Sequence, residues 1–167
     1  MKIKTINNFL NDKDFQDLKK FKFENIKPKE IKIFHNSIDR NGKILNELFS
    51  VDLIKKLQKN YHDKAIEILK ETYPEKIKLY EYSEFHMIVA GSNYSFPIHD
   101  DTPNKLLSGV IYLNPKENQG TEFFDNKKGL NKKRVEWIQN TAIFFARKER
   151  ETWHSYKSDG KSPRITL

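Results

Sequence analysis

The chain has no cysteine. That excludes disulfide scaffolds, cysteine-ligated zinc ribbons, iron–sulfur clusters and thiol nucleophiles together. Arginine is also scarce, with five among 31 cationic residues, so guanidinium forks for phosphate or guanine are few. No apolar run approaches the roughly 18 residues that would span a bilayer, and no membrane partner is expected. The opening MKIKTINNFL lacks a continuous apolar stretch and a small-residue cleavage site. It is read as no signal peptide, which makes a cytoplasmic location the expectation. Internal repeats, low-complexity stretches and linkers are absent as well.

What is present suits one globular domain spanning 1–167. Hydrophobic residues make up 37% and aromatics 13%, with twelve Phe and seven Tyr, enough for a core. The net charge is +8, and basic chains often meet phosphate. Yet Lys, Asn and Ile number 26, 15 and 17, and all three have A/T-rich codons. Genome composition alone accounts for such an excess. The charge is therefore read as a lysine-solvated surface rather than a nucleic-acid footprint.

Two unequal parts follow from the hydrophobic period, a helical one over 1–76 and a β core over 77–167. In the first, Asn11 can cap a helix carrying Phe15, Leu18 and Phe21, and a short extended piece follows over 30–34. A polar turn over 39–42 comes next. Ser50 caps a second helix whose stripe is Leu53, Leu57, Tyr61, Ala65, Ile68 and Leu69, ending by Tyr73 because Pro74 follows. From 77 the runs are short: 77–82, 85–90, 94–101, 106–113, 121–125, 134–139, 141–146 and 162–167. Turn residues at 91–93, 114–115, 118–120 and 159–160 separate several of them. This spacing predicts an antiparallel sandwich or barrel, mainly β with helices buttressing one outer face.

Candidate chemistry starts at His99-Asp100-Asp101. In extended chain residues i and i+2 share a face, so His99 and Asp101 can hold one metal ion while Asp100 points away. His35, His62 and His86 are read instead as packed or surface histidines. His154 lies 55 residues after His99, beyond the run 141–146 and the charged loop 147–151. Two imidazoles and one carboxylate are the facial triad of non-haem Fe(II) oxygenases. Ten residues further comes Arg164, with Thr166 on the same face of a strand. An arginine and a hydroxyl so placed suit a terminal carboxylate.

In this order the residues resemble the 2-oxoglutarate- and Fe(II)-dependent dioxygenases, in the HxD…H…R pattern of the prolyl-hydroxylase-like branch. The likeness covers about 77–167 plus the INNFL-and-helix opening. Val110-Ile111-Tyr112-Leu113-Asn114 is similar to the family's YLN strand end, and Gly120-Thr121-Glu122-Phe123-Phe124 to its Gly-rich turn and strand. The run 140–145 resembles the strand before the distal histidine. The resemblance implies a double-stranded β-helix, a jelly-roll relative. It implies His99, Asp101 and His154 as iron ligands, Arg164 on the distal carboxylate of 2-oxoglutarate, Tyr112 as a further donor to it, and Thr166 beside them. Two features depart from the pattern. The family's tyrosine about ten residues before the first histidine is Val89 here, with Tyr94 or Ser95 as substitutes, and three residues follow Arg164 where the last strand normally runs on.

The activity so implied is hydroxylation of an organic substrate, a peptidyl or free amino acid first. O2 is the cosubstrate, succinate and CO2 are released, and ascorbate is allowed as an auxiliary reductant. The carboxylate ligand Asp101 separates this pattern from the related halogenases, which lack it. A nucleic-acid-directed oxygenase is the second reading, and a non-catalytic metal-binding jelly-roll the third. Specificity would reside in the loops 39–43, 92–96 and 147–151. Oligomeric state is not legible.

Overall fold

Helix starts in this chain follow capping chemistry. The computed structural model describes residues 2–23, 25–38, 43–46 and 48–167, and of 37, 38 and 46 the backbone alone. Helix α1 (Asp12–Lys19) begins at Asn11, whose side chain accepts from the Asp14 amide. Helix α2 (Val51–Thr72) begins at Ser50, whose hydroxyl accepts from the Leu53 amide, and it ends at Tyr73 before Pro74. Ile54, Leu57, Tyr61, Ile68 and Leu69 form its buried stripe, while Leu53 is only half-buried. The expected turn at 39–42 lies outside the described residues.

Residues 1–76 are less helical than the period suggests. They also supply three strands: β1 (Ile3–Ile6), β2 (Ile31–Ile38) and β3 (Ile44–Asn46). The extended piece expected over 30–34 is the first half of β2. Conversely, the strand expected over 77–82 is a 3₁₀ turn, Pro74–Leu79. Pro74 presets its first residue, and Tyr80 N–H closes it on the Ile77 carbonyl at 3.0 Å.

The remaining strands are β4 (Glu84–Ala90), β5 (Ser95–His99), β6 (Leu107–Asn114), β7 (Thr121–Phe124), β8 (Lys133–Val135), β9 (Ala142–Ala146), β10 (Trp153–Lys157) and β11 (Arg164–Thr166). They form a seven-stranded sheet, β1-β9-β6-β11-β4-β2-β3, and a four-stranded sheet, β5-β10-β7-β8. Every pairing is antiparallel. Strand β8 is half the length expected because Trp137 and Gln139 serve as cross-braces. Trp137 Nε1 donates to the Pro115 carbonyl at 2.9 Å and Gln139 Nε2 to the Leu113 carbonyl at 2.8 Å. Gly120 admits the bend before β7, since a Cβ there would stand 1.8 Å from the Val135 carbonyl oxygen.

Side-chain alternation divides the large sheet between two cores. Met87, Val89, Ile111, Leu113 and Phe144 face the helices, packed with Ile54, Leu57 and Tyr61. Tyr112, Ile143 and Phe145 face inward, against Phe123 of the small sheet and Trp137. The helices thus buttress one outer face, and the sandwich interior lies on the other.

Asp14 locks α1 to α2. Its buried carboxylate accepts from the Tyr61 hydroxyl at 2.7 Å and Asn60 Nδ2 at 2.9 Å, and pairs with Lys56. Burial pushes its pKa up, but Lys56, Tyr61, Asn60 and Asn11 outweigh that and hold it below the usual carboxylate value. Stability from this group is present above about pH 4 and is lost as pH falls through the lower folded value. Asp14→Ala should cost about 3 kcal/mol in urea denaturation at pH 7. In Asp14→Asn the acid limb below pH 4 should become shallower, and an unchanged limb would show that other carboxylates carry it.

Candidate metal centre

Pairing of β10 with β5 sets His154 directly opposite His99. Their rings lie 4.1 Å apart. Asp101 stands two residues on, in the loop just past the end of β5, and its side chain is 6% exposed. One ligand atom from each of His99, Asp101 and His154 falls within 4.8 Å of the others. Among the described residues no other three His or acidic groups do so. His35 and His86 contact each other at 3.3 Å, and His62 meets Ser83 at 3.3 Å. They belong to no such group.

The backbone orients both imidazoles. His99 Nδ1 lies 3.0 Å from the Pro97 carbonyl and His154 Nδ1 2.9 Å from the Thr152 carbonyl. A carbonyl only accepts, so each Nδ1 carries the proton and each Nε2 offers its lone pair. Burial first, then His99, holds the His154 pKa below its ordinary value, which keeps the ring neutral and free to ligate. Asp101 accepts from Lys105 Nζ at 2.9 Å and Ser108 Oγ at 2.6 Å. Burial opposes its ionisation, but Lys105 and the Ser108 hydrogen bond prevail and hold its pKa below the usual range. Two imidazole nitrogens and one carboxylate fit a divalent iron ion.

Arg164 of β11 is a second candidate group, on the inner face of the large sheet. It is 2% exposed, and no carboxylate among the described residues pairs with it. Its Nη2 reaches Thr121 Oγ1 at 3.3 Å, and its Nε has no partner. Three rings surround the guanidinium: Tyr156 at 4.3 Å, Trp137 at 5.1 Å and Tyr112 at 5.4 Å. Cation–π contact offsets part of the burial but leaves the donors unmet. An anion such as a carboxylate would meet them, so the residues fit one end of 2-oxoglutarate. Tyr112 donates to Thr121 Oγ1 at 2.8 Å and stacks on Trp137 at 4.3 Å. Thr166 shares the inner face with Arg164 and sits opposite Tyr112 across β6.

Val89, at the family's tyrosine position, lies in the helix-facing core, on the face opposite Arg164. Tyr156 instead stands over the guanidinium. Tyr94, one of the two expected substitutes, has its ring 6.2 Å from that of Tyr156, and Ser95 is exposed. Tyr156 was detectable in sequence, because it is two residues past His154 and therefore on the same face. Lys105, Ser108, Thr121 and Trp137 carried no comparable signal.

The architecture is shared with solved structures. A Pseudomonas putida prolyl-4-hydroxylase is similar over 99% of this chain and 89% of its own, with TM-score 0.63 and 15% identity. A Trichoplax adhaerens prolyl hydroxylase in complex with a hypoxia-inducible-factor oxygen degradation domain peptide fragment is similar over 98% and 80%, with TM-score 0.61 and 16% identity. The viral collagen prolyl hydroxylase of Paramecium bursaria Chlorella virus-1, solved as a 2-oxoglutarate complex, is similar over 98% and 92%, with TM-score 0.55 and 20% identity. The fold is the jelly-roll-like double-stranded β-helix that these prolyl hydroxylases share. No protein-family model and no curated protein matches the chain. The chain therefore joins this fold and an intact HxD…H triad to a sequence far from those of the three structures. No described helix is long and apolar enough to cross a membrane.

Removing one ligand should abolish tight metal binding without unfolding the sheet. In Mn2+ titrations His154→Ala should bind at least about tenfold more weakly than wild type. His35→Ala should bind like wild type, and an equal loss there would show that the metal lies elsewhere.

Proposed function

We propose that this chain is an Fe(II)- and 2-oxoglutarate-dependent dioxygenase that hydroxylates a peptidyl or free amino acid. The observation that carries the reading is Arg164, a buried guanidinium whose Nε has no partner, on the inner face of the sandwich. A metal-binding module without turnover has no need of such a group. His99, Asp101 and His154 would hold Fe(II). Arg164, with Thr121 and Tyr112 beside it, would hold the distal carboxylate, and Thr166 would border the same pocket. Bound iron supplies the O2 activation that couples oxidative decarboxylation to hydroxylation. The balance is 2-oxoglutarate plus O2 plus R–H giving succinate, CO2 and R–OH.

The chain's own residues do the rest. Thr152 and Pro97 carbonyls aim the imidazoles, and Lys105 and Ser108 keep Asp101 anionic. Phe123 and Phe145 pack on the His154 ring, with centroids at 6.0 and 4.7 Å, and screen it from water. A peptidyl substrate is supported by the Trichoplax prolyl hydroxylase, which was solved with a peptide fragment. Nucleic acid is less supported. Among the described residues Arg134 and Arg147 face Glu122 and Asp100 and Arg164 is buried, which leaves Arg150 as the exposed guanidinium of that set.

Succinate release should be measured over peptides, free amino acids and oligonucleotides with Fe(II) and 2-oxoglutarate. The expected outcome is stimulation by a peptide or amino acid, absent in His99→Ala. Arg164→Met should raise the KM for 2-oxoglutarate roughly 100-fold with metal affinity unchanged. A wild type that makes no succinate, even uncoupled, and shows no visible charge-transfer band with anaerobic Fe(II) and 2-oxoglutarate would overturn the oxygenase reading.

A further inference from the structure

Asp100 sits between two metal ligands in sequence and turns away from both. Its side chain is only 10% exposed. Oδ1 accepts from the Thr152 hydroxyl at 2.6 Å, and Oδ2 accepts from the Arg150 amide at 2.9 Å. The Arg147 guanidinium lies 3.7 Å from Oδ2, and Arg147 Nε donates to the Asp101 carbonyl at 2.6 Å. All of these partners belong to the 147–152 segment that leads into His154. Thr152 is fully buried, and its carbonyl is the one that orients the His154 ring.

Arg150 adds an independent observation. Its φ is 58°, a left-handed conformation that non-glycine residues rarely adopt. Such outliers persist where neighbouring contacts over-determine them. Here the Arg150 amide is tied to Asp100, and its carbonyl accepts from Trp153 Nε1 at 2.9 Å. The strained turn is thus held from both sides, directly before the strand that carries His154.

We infer that Asp100 is a positioning residue: through Thr152 and Arg147 it clamps the His99–Asp101 segment to the approach of His154 and so sets the spacing of the metal ligands before metal arrives. The inference rests on the reading of His99, Asp101 and His154 as metal ligands, not on turnover. Its chemistry is specific. One carboxylate meets a buried hydroxyl, a backbone amide in a strained turn and a guanidinium; Thr152 stands two residues before His154, and Arg147 holds the Asp101 carbonyl. A Thr152 without its hydroxyl would leave Asp100 Oδ1 buried and unmet, and the Thr152 carbonyl free to shift.

The test compares Thr152→Val, Thr152→Ser and Asp100→Ala, with Mn2+ affinity and the melting temperature of the metal-free protein as readouts. Thr152→Val should bind Mn2+ about tenfold more weakly, while Thr152→Ser, which keeps the hydroxyl, should stay within about twofold. Asp100→Ala should follow Thr152→Val. In Co2+-loaded protein the exchangeable His154 Nδ1–H resonance should exchange faster in Thr152→Val while that of His99 does not, a change that a merely structural residue would not produce. Should Asp100→Ala fail to fold, the Val and Ser pair decides. Wild-type Mn2+ affinity in Thr152→Val, or loss in Thr152→Ser as large as in Thr152→Val, would overturn the proposal. A wild type that binds no metal would overturn it together with the metal centre. A wild type that binds metal but releases no succinate would sink only the oxygenase reading.

Discussion

The antiparallel pairing of β10 with β5 is the constraint on which the rest of the site depends. Backbone hydrogen bonding between these strands cancels a separation of 55 residues and sets His154 opposite His99. Because the strand period is two, a slip of one residue would turn either imidazole out of the sandwich. The register is held on the other side as well, where β10 pairs with β7 and places His154 beside Phe123 and Tyr156 beside Thr121. One strand therefore presents a metal ligand and, two residues later, the ring that covers Arg164.

Electrostatics divides the interior into two complementary ends. At one end the buried carboxylate of Asp101 stands beside the imidazoles of His99 and His154 and is steadied by Lys105 and Ser108. At the other, Arg164 is buried among aromatic faces with donors left over. Isolated buried charges are costly, and both arrangements persist here because the surrounding core is well packed and braced. Val89 and Met87 tie the same sheet to the helices, so the helix-facing core carries stability while the inner face carries chemistry.

Much of the site was legible in the sequence, for a local reason. An HxD pair depends only on i to i+2 geometry, and an arginine followed two residues later by a threonine on a strand depends on the same rule. The helix starts were legible too, because Asn11 and Ser50 act on amides within three residues of themselves. Less legible were elements whose partner is distant. Strand β1 pairs with β9, some 140 residues away, and four residues are too short a run to announce a strand by their own period. The run 77–82 has a β-like composition but meets no sheet edge, and Pro74 starts a 3₁₀ turn there instead. Trp137 and Gln139 look like alternating strand residues until their side chains are seen to donate to Pro115, just past β6, and to Leu113 within it.

Composition and spacing by themselves determined the kind of chemistry open to this chain. With no thiol, a transition metal must be held by histidine and carboxylate, and the order His99, Asp101, His154, Arg164 defines one such set. Only the tertiary structure decided which groups serve those residues. That Arg164 has a caged guanidinium, that Tyr112 reaches Thr121, that position 89 faces the helices and that Asp100 turns to Thr152 are all consequences of strand register and sheet packing. Sequence encodes neighbours along the chain through local geometry. Neighbours across the sandwich exist only once both sheets have closed on their common core.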